Sequence, residues 1–125
     1  MFNFEKLDVW QKGIVFADSV YSLSRAFPAE ERFGLTNQMR RAAISVPSKV
    51  AEGSARMSQA DFARFIEIST GSLFEVVSHS FIANKQSFLS QDGFQLIYRN
   101  AEELSRMLSG LRRSRFSNTR KPMFQ

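Results

Sequence analysis

Four stretches of the chain place apolar residues at alternating steps of three and four, the spacing that brings side chains onto one face of an α-helix. The stretches cover residues 7–26, 36–53, 58–89 and 94–116, and short polar turns separate them. Because an apolar helix face has to be buried against another element, this pattern predicts an all-α protein. Four long helices with short connections favour an antiparallel, up-down-up-down four-helix bundle.

The predicted helices differ in the width of their apolar faces. The first one carries two adjacent stripes, which begin at Leu7 and Val9 and indicate a helix packed against two neighbours. The third and fourth helices each carry one seam. The seam of the third helix consists of Phe62, Ile66, Ser69, Leu73, Val76, Ser80 and Ala83. The seam of the fourth helix consists of Phe94, Ile97, Ala101, Leu104, Leu108 and Leu111.

Local signals predict where the helices begin and where they are disturbed. Thr36 is the predicted N-cap of the second helix. Pro47 lies inside that helix, where it removes a backbone donor and crowds the preceding turn, so we predict a kink or a restart there. Ser58 and Asp61 resemble a capping box at the start of the third helix. Gly71 lies inside the third helix, and a close approach of a neighbouring helix would explain its presence.

The formal net charge of +5 is not spread evenly along the chain. Five of the 17 Lys and Arg residues follow residue 111, and the rest of the chain has as many basic as acidic residues. Residues 117–125 also lack apolar periodicity. We therefore predict a bundle over residues 1–116 and a flexible, basic C-terminal tail over residues 117–125.

Residue types that support catalysis or metal binding are scarce in this chain. There is no cysteine, which excludes disulfides and thiolate metal ligands. His79 is the only histidine, and its helical neighbours Glu75 and Ser78 do not complete a set of metal ligands. The carboxylate pairs at 30–31 and 102–103 point about 100° apart on a helix, so neither pair converges on one substrate atom. We predict a protein that is not an enzyme and has no metal or other cofactor.

The first residues of the sequence indicate the cellular compartment in which we expect the protein. They have neither the basic region nor the apolar region of a signal peptide. No apolar run approaches the roughly 20 residues that a membrane span requires. The prediction is a cytoplasmic protein that does not associate with membranes.

Two groups of basic residues are the candidate nucleic-acid-binding residues. The first group consists of Arg40, Arg41, Lys49 and Arg56. The second group consists of Arg112, Arg113 and Arg115. Such residues neutralise phosphates and release counterions, which gives salt-dependent binding with little sequence preference. No aromatic-rich stretch is interleaved with them, so stacking on bases is not expected. In the alternative interpretation Arg40 and Arg41 form ion pairs between subunits and the tail only increases solubility.

Residues 4–111 resemble the bacterial family of four-helix-bundle proteins encoded by intervening sequences in 23S ribosomal RNA genes. The stretches that carry the resemblance are LDVWQ at 7–11, FPAEERFGLT at 27–36, QMRRAAISVP at 38–47, VAEGSAR at 50–56 and GSLFE at 71–75. The resemblance implies a four-helix bundle that assembles into a homopentamer. It also implies a relation to the accessory protein of diversity-generating retroelements, which binds nucleic acid and a reverse transcriptase.

Charge and resemblance together favour a homo-oligomeric protein that binds nucleic acid, with RNA favoured, through basic surfaces and without sequence specificity. The alternative is a protein-interaction adaptor, such as an accessory subunit of a reverse transcriptase, which does not itself bind nucleic acid. A nucleic-acid binder loses affinity steeply with salt, whereas an adaptor retains its protein partner after nuclease treatment.

Overall fold

The computed structural model describes the backbone of residues 1–120 and the side chains of residues 1–115. This part of the chain contains four α-helices and no strand, which confirms the all-α prediction. The helices are α1 (Asp8–Ser24), α2 (Leu35–Ser54), α3 (Gln59–Lys85) and α4 (Gln91–Arg120). Short 3-10 segments precede α1 at Asn3–Lys6 and α2 at Ala29–Glu31.

Successive helices pack side by side in opposite directions. Gly13 of α1 lies against Pro47 of α2, and Ser24, further along α1, meets Arg40, which comes earlier in α2. The same reversal holds between α3 and α4, in the pairs Glu67–Arg112 and Phe81–Phe94. Helix α1 also packs against α4, so the four helices close around one core.

The seams of the third and fourth helices are placed as the spacing predicted. Every member of the α3 seam is buried, and so is every member of the α4 seam except the half-buried Leu111. Of the two stripes on α1, the one that begins at Val9 is buried except for the half-buried Leu23. The stripe that begins at Leu7 is only partly covered, and Ile14 within it is 45% exposed.

Close helix approach occurs at glycines other than the predicted one. A Cβ atom at Gly71 would have no neighbour within 4 Å, so the prediction for this residue is wrong. A Cβ atom at Gly53 would lie 2.7 Å from the Cβ of Phe65, because α2 and α3 converge on their connecting turn. A Cβ atom at Gly13 would lie 3.2 Å from the Cβ of Pro47.

This contrast predicts opposite effects for two matched substitutions. Gly71→Ala is expected to raise the free energy of unfolding by about 0.5–1 kcal/mol, because alanine loses less backbone entropy than glycine on joining a helix. Gly53→Ala is expected to lower the free energy of unfolding by about 1–3 kcal/mol. The new methyl group would overlap the Cβ atom of Phe65, which is attached to the backbone and cannot move aside alone. Equilibrium unfolding in urea measures both changes. A loss of stability in Gly71→Ala would contradict the open surroundings of this glycine.

The start of α2 differs from the prediction. Gly34 is the N-cap, and the Glu31 carboxylate accepts a hydrogen bond from the Leu35 amide. Thr36 is instead buried, so its predicted capping role is wrong. At the start of α3 the prediction is confirmed in part, since the Ser58 hydroxyl accepts from the Asp61 amide. The Asp61 carboxylate accepts from Arg64.

Helix α2 continues through Pro47, so the predicted restart does not occur. The proline is buried, and its ring packs into the space that the missing side chain of Gly13 leaves on α1. The helix thus accommodates a residue that cannot donate the backbone hydrogen bond of that turn.

Two helix ends differ from their predicted positions. Helix α3 ends at Lys85 rather than near residue 89, because Ser87 has a φ of 64° and the Phe88 amide donates back to the Ala83 carbonyl. Helix α4 continues to Arg120, beyond the predicted end at residue 116, since no glycine or proline lies between residue 116 and Pro122. Residues 121–125 of the predicted tail lie outside the described residues.

Candidate nucleic-acid interface

The first group of predicted binding residues does not form one surface. Arg41 lies near the beginning of α2, whereas Arg56 follows its end. Fifteen helical residues span about 22 Å, so these two side chains are at opposite ends of the bundle. The structure therefore distributes the predicted residues between two ends rather than along one face.

Arg40 is engaged within the fold. Its Nε donates a hydrogen bond of 2.8 Å to the Ser24 hydroxyl, and its Nη2 donates one of 3.3 Å to the Tyr21 carbonyl. Its guanidinium also lies 4.7 Å from the centre of the Tyr21 ring. These contacts satisfy a carbonyl in the last turn of α1 and hold α2 against it. Arg40 is thus a structural residue that adds positive charge to its surroundings.

Two other predicted residues have acidic partners. Lys49 lies 3.0 Å from the Glu52 carboxylate, one turn further along α2. Arg112 donates to the Glu67 carboxylate across the α3–α4 interface. Both pairs are partly exposed, so their main effect is to neutralise positive charge locally. Arg113, which follows Arg112 on α4, is more exposed than Arg112.

Arg56 and Arg115, from the two predicted groups, line one cleft together with Lys6. We call this space, of about 410 Å³, the Arg56 cleft. The Arg56 guanidinium lies 4.4 Å from the centre of the Phe65 ring, and the Arg115 guanidinium lies 5.0 Å from that of Phe62. The described residues that line the cleft include no aspartate or glutamate.

A second cleft, of about 460 Å³, lies at the opposite end of the bundle, where α1 ends and α2 begins. Its lining residues are Tyr21, Arg32, Phe33, Thr36, Asn37, Arg40 and Arg41. We call it the Arg32 cleft. Three of these seven residues are arginines, and none is acidic. An anionic ligand is therefore attracted here without opposition from a lining carboxylate.

Arg32 and Phe33 were not among the predicted binding residues. Phe33 belongs to none of the predicted seams and is 85% exposed. The Arg32 guanidinium lies 5.5 Å from the centre of its ring. Their position in the sequence was the one indication of exposure. Both residues immediately precede the Gly34 turn, where no helical seam can bury them.

Among the described residues, the other polar side chains form no cluster comparable to the basic linings of these two clefts. His79 is largely buried, and its Nε2 lies 4.0 Å from the Glu75 carboxylate. Within residues 1–115, no three histidine, aspartate or glutamate side chains are grouped as metal ligands would be. The hydrogen bond from Lys12 lowers the pKa of the Glu103 carboxyl, on the α1–α4 face. None of the helices, as far as they are described, is long and apolar enough to cross a membrane.

Comparison with known proteins completes this evidence. No curated protein sequence matches the chain. A family model described as "23S rRNA-intervening sequence protein" matches residues 5–110, which include all four helices except the end of α4. Since this match covers far more than half of the sequence, the chain belongs to the 23S rRNA-intervening sequence protein family.

Proposed function

We propose that this protein is a non-catalytic, cytoplasmic nucleic-acid binder that recognises phosphate backbones with little sequence preference, and that RNA is its preferred ligand. The observation that carries the proposal is the Arg32 cleft, which has three arginines and no acidic lining residue. Arg40 is fixed by its hydrogen bonds, while Arg41 and Arg32 are exposed and accessible to a ligand. Such a site binds phosphates and releases their counterions.

The proposal includes a homo-oligomer, with a pentamer as the expected form. In a closed ring each basic cleft occurs once per subunit, so weak phosphate contacts add through multivalency. RNA is favoured over DNA because of the family to which the chain belongs.

Size-exclusion chromatography with light scattering tests this proposal. The nuclease-treated protein is measured with and without a mixed-sequence RNA, at low and at high salt. A pentamer-sized particle that retains RNA only at low salt is the expected result, since counterion release weakens with salt. An oligomer that binds no RNA at either salt concentration would contradict RNA binding, and a monomer would contradict the proposed assembly.

A second candidate function is supported by another surface. Within residues 1–115, three aromatic side chains of α3 and α4 are exposed, namely Phe74, Phe81 and Tyr98. Exposed apolar groups of this kind often mark protein contacts. They favour an adaptor that docks a protein such as a reverse transcriptase, or contact between subunits. Capture of a defined protein partner after nuclease treatment would support the adaptor.

A further inference from the structure

We propose that the Arg32 cleft selects single-stranded over double-stranded nucleic acid, because it receives an unpaired base on the Phe33 ring. This inference rests on the proposed nucleic-acid binding and adds the class of ligand that the cleft accepts. It depends on three features of the cleft: an exposed ring, flanking arginines and a buried hydroxyl group.

The Phe33 ring is available to a ligand. It is 85% exposed, which makes it the most exposed phenylalanine among residues 1–115. It precedes the N-cap Gly34, so it lies on the connection between α1 and α2 and is not packed in the seam between them. Every nucleobase has a flat face that stacks on such a ring, which makes the interaction independent of sequence.

The arginines are arranged to hold the backbone of a strand whose base stacks in this way. Arg32 and Arg41 both line the cleft, and neither forms an ion pair with an acidic side chain among residues 1–115. The Arg32 guanidinium, 5.5 Å from the centre of the Phe33 ring, is close enough to contact a phosphate of the stacked nucleotide. Asn37, also in the lining, supplies an amide that can pair with the edge of a base.

Thr36 provides an independent indication of a ligand. It lines the same cleft and is 92% buried, since 8% of its surface is exposed. Its Oγ1 has no hydrogen-bond partner within the described part of the chain. Buried hydroxyl groups are nearly always hydrogen-bonded in native proteins. The Oγ1 atom itself is enclosed, so a polar ligand group in the cleft would become its partner when the Thr36 side chain turns toward the cleft.

Duplex nucleic acid does not meet these requirements, because its bases are already stacked and paired. An exposed side chain can stack only on a base that has left the helix, and extruding one from a duplex requires unstacking energy. A duplex therefore contacts Arg32 and Arg41 through phosphates alone, whereas a single strand adds the contact with Phe33.

The test compares binding of the full chain and its Phe33→Leu variant to a short single-stranded RNA and to the duplex of the same sequence. The strand carries a fluorescent purine analogue whose emission falls when it stacks. We expect the native protein to bind the single strand more tightly and to quench its emission. In Phe33→Leu we expect single-strand affinity to fall about tenfold, quenching to disappear and duplex affinity to change less than about twofold.

Phe2→Leu is the matched control. Phe2 is 71% exposed, precedes α1, lies outside the Arg32 cleft and undergoes the same chemical change. Its binding is expected to equal that of the native chain, and melting curves of both variants are expected to match because both rings are exposed. Equal affinity for strand and duplex, or undiminished quenching in Phe33→Leu, would overturn the stacking proposal while leaving phosphate binding intact. Failure of every form to bind RNA at low salt would overturn the proposed function as well.

Discussion

Leu104→Asp is expected to abolish the cooperative thermal unfolding of the bundle. Leu104 is 2% exposed and belongs to the core that α4 shares with the other helices. Losing a buried leucine side chain costs about 2–5 kcal/mol, and burying an unpaired carboxylate costs several more. Together these terms are comparable with the total stability of roughly 5–15 kcal/mol that small domains have. Far-UV circular dichroism during heating measures the transition.

Leu96→Asp is the control for this experiment. Leu96 lies on the same helix but is 40% exposed, so its carboxylate remains in water. Its melting temperature is expected to stay close to that of the native chain. If Leu104→Asp melted like the native protein, the orientation of α4 in the bundle would be wrong.

Reversal of two charges, Arg32→Glu with Arg41→Glu, is expected to lower RNA affinity by roughly one order of magnitude per residue at low salt, since each change removes a charge-assisted contact. The slope of log affinity against log salt is expected to fall by about 1.4, because each phosphate contact with a single strand contributes about 0.7. Arg40 is left unchanged because its bonds to Ser24 and Tyr21 maintain the fold. Fluorescence anisotropy over a series of salt concentrations measures both quantities.

The control reverses Arg99 and Arg106, which are exposed on α4. It changes the net charge by the same amount on a helix that does not line the Arg32 cleft. Its affinity is expected to fall much less. An equal loss in both double variants would show that RNA responds to the overall charge and not to this cleft.

The helical seams could be predicted because burial repeats with the helix period. Seven positions of α3, from Phe62 to Ala83, and six of α4, from Phe94 to Leu111, follow that period and face the core or its edge. The stripe of α1 that contains Ile14 shows the limit of this argument. A periodic stripe indicates a helix face, but the sequence does not reveal whether a neighbour covers it.

Features that depend on contact between helices could not be predicted in the same way. Gly53 and Gly71 both lie in helices, but only Gly53 has close neighbours on an adjacent helix, namely Phe65 and Phe62 of α3. Arg40 and Arg41 are adjacent in sequence, but about 100° of helical rotation directs one toward α1 and the other into solvent.

The candidate site was therefore only partly predictable from the sequence. Arg41, near the start of α2, was predicted as a binding residue, whereas Arg32 and Phe33 on the preceding connection were not. Their grouping with Arg41 arises because the connection folds beside α2. Arg56 and Arg115 are 59 positions apart in the chain, and only the closed bundle brings them into one cleft.

The contact between Gly13 and Pro47 fixes the axial register of α2 on α1. Sliding α2 by one turn, about 5.4 Å, would bring the proline ring level with Val9 or Ala17, where a side chain occupies the space. Arg40 precedes Pro47 by about two turns, so the same register decides that it reaches Tyr21. The shape of the Arg32 cleft is thus determined in part by a glycine near the middle of the bundle that does not line it.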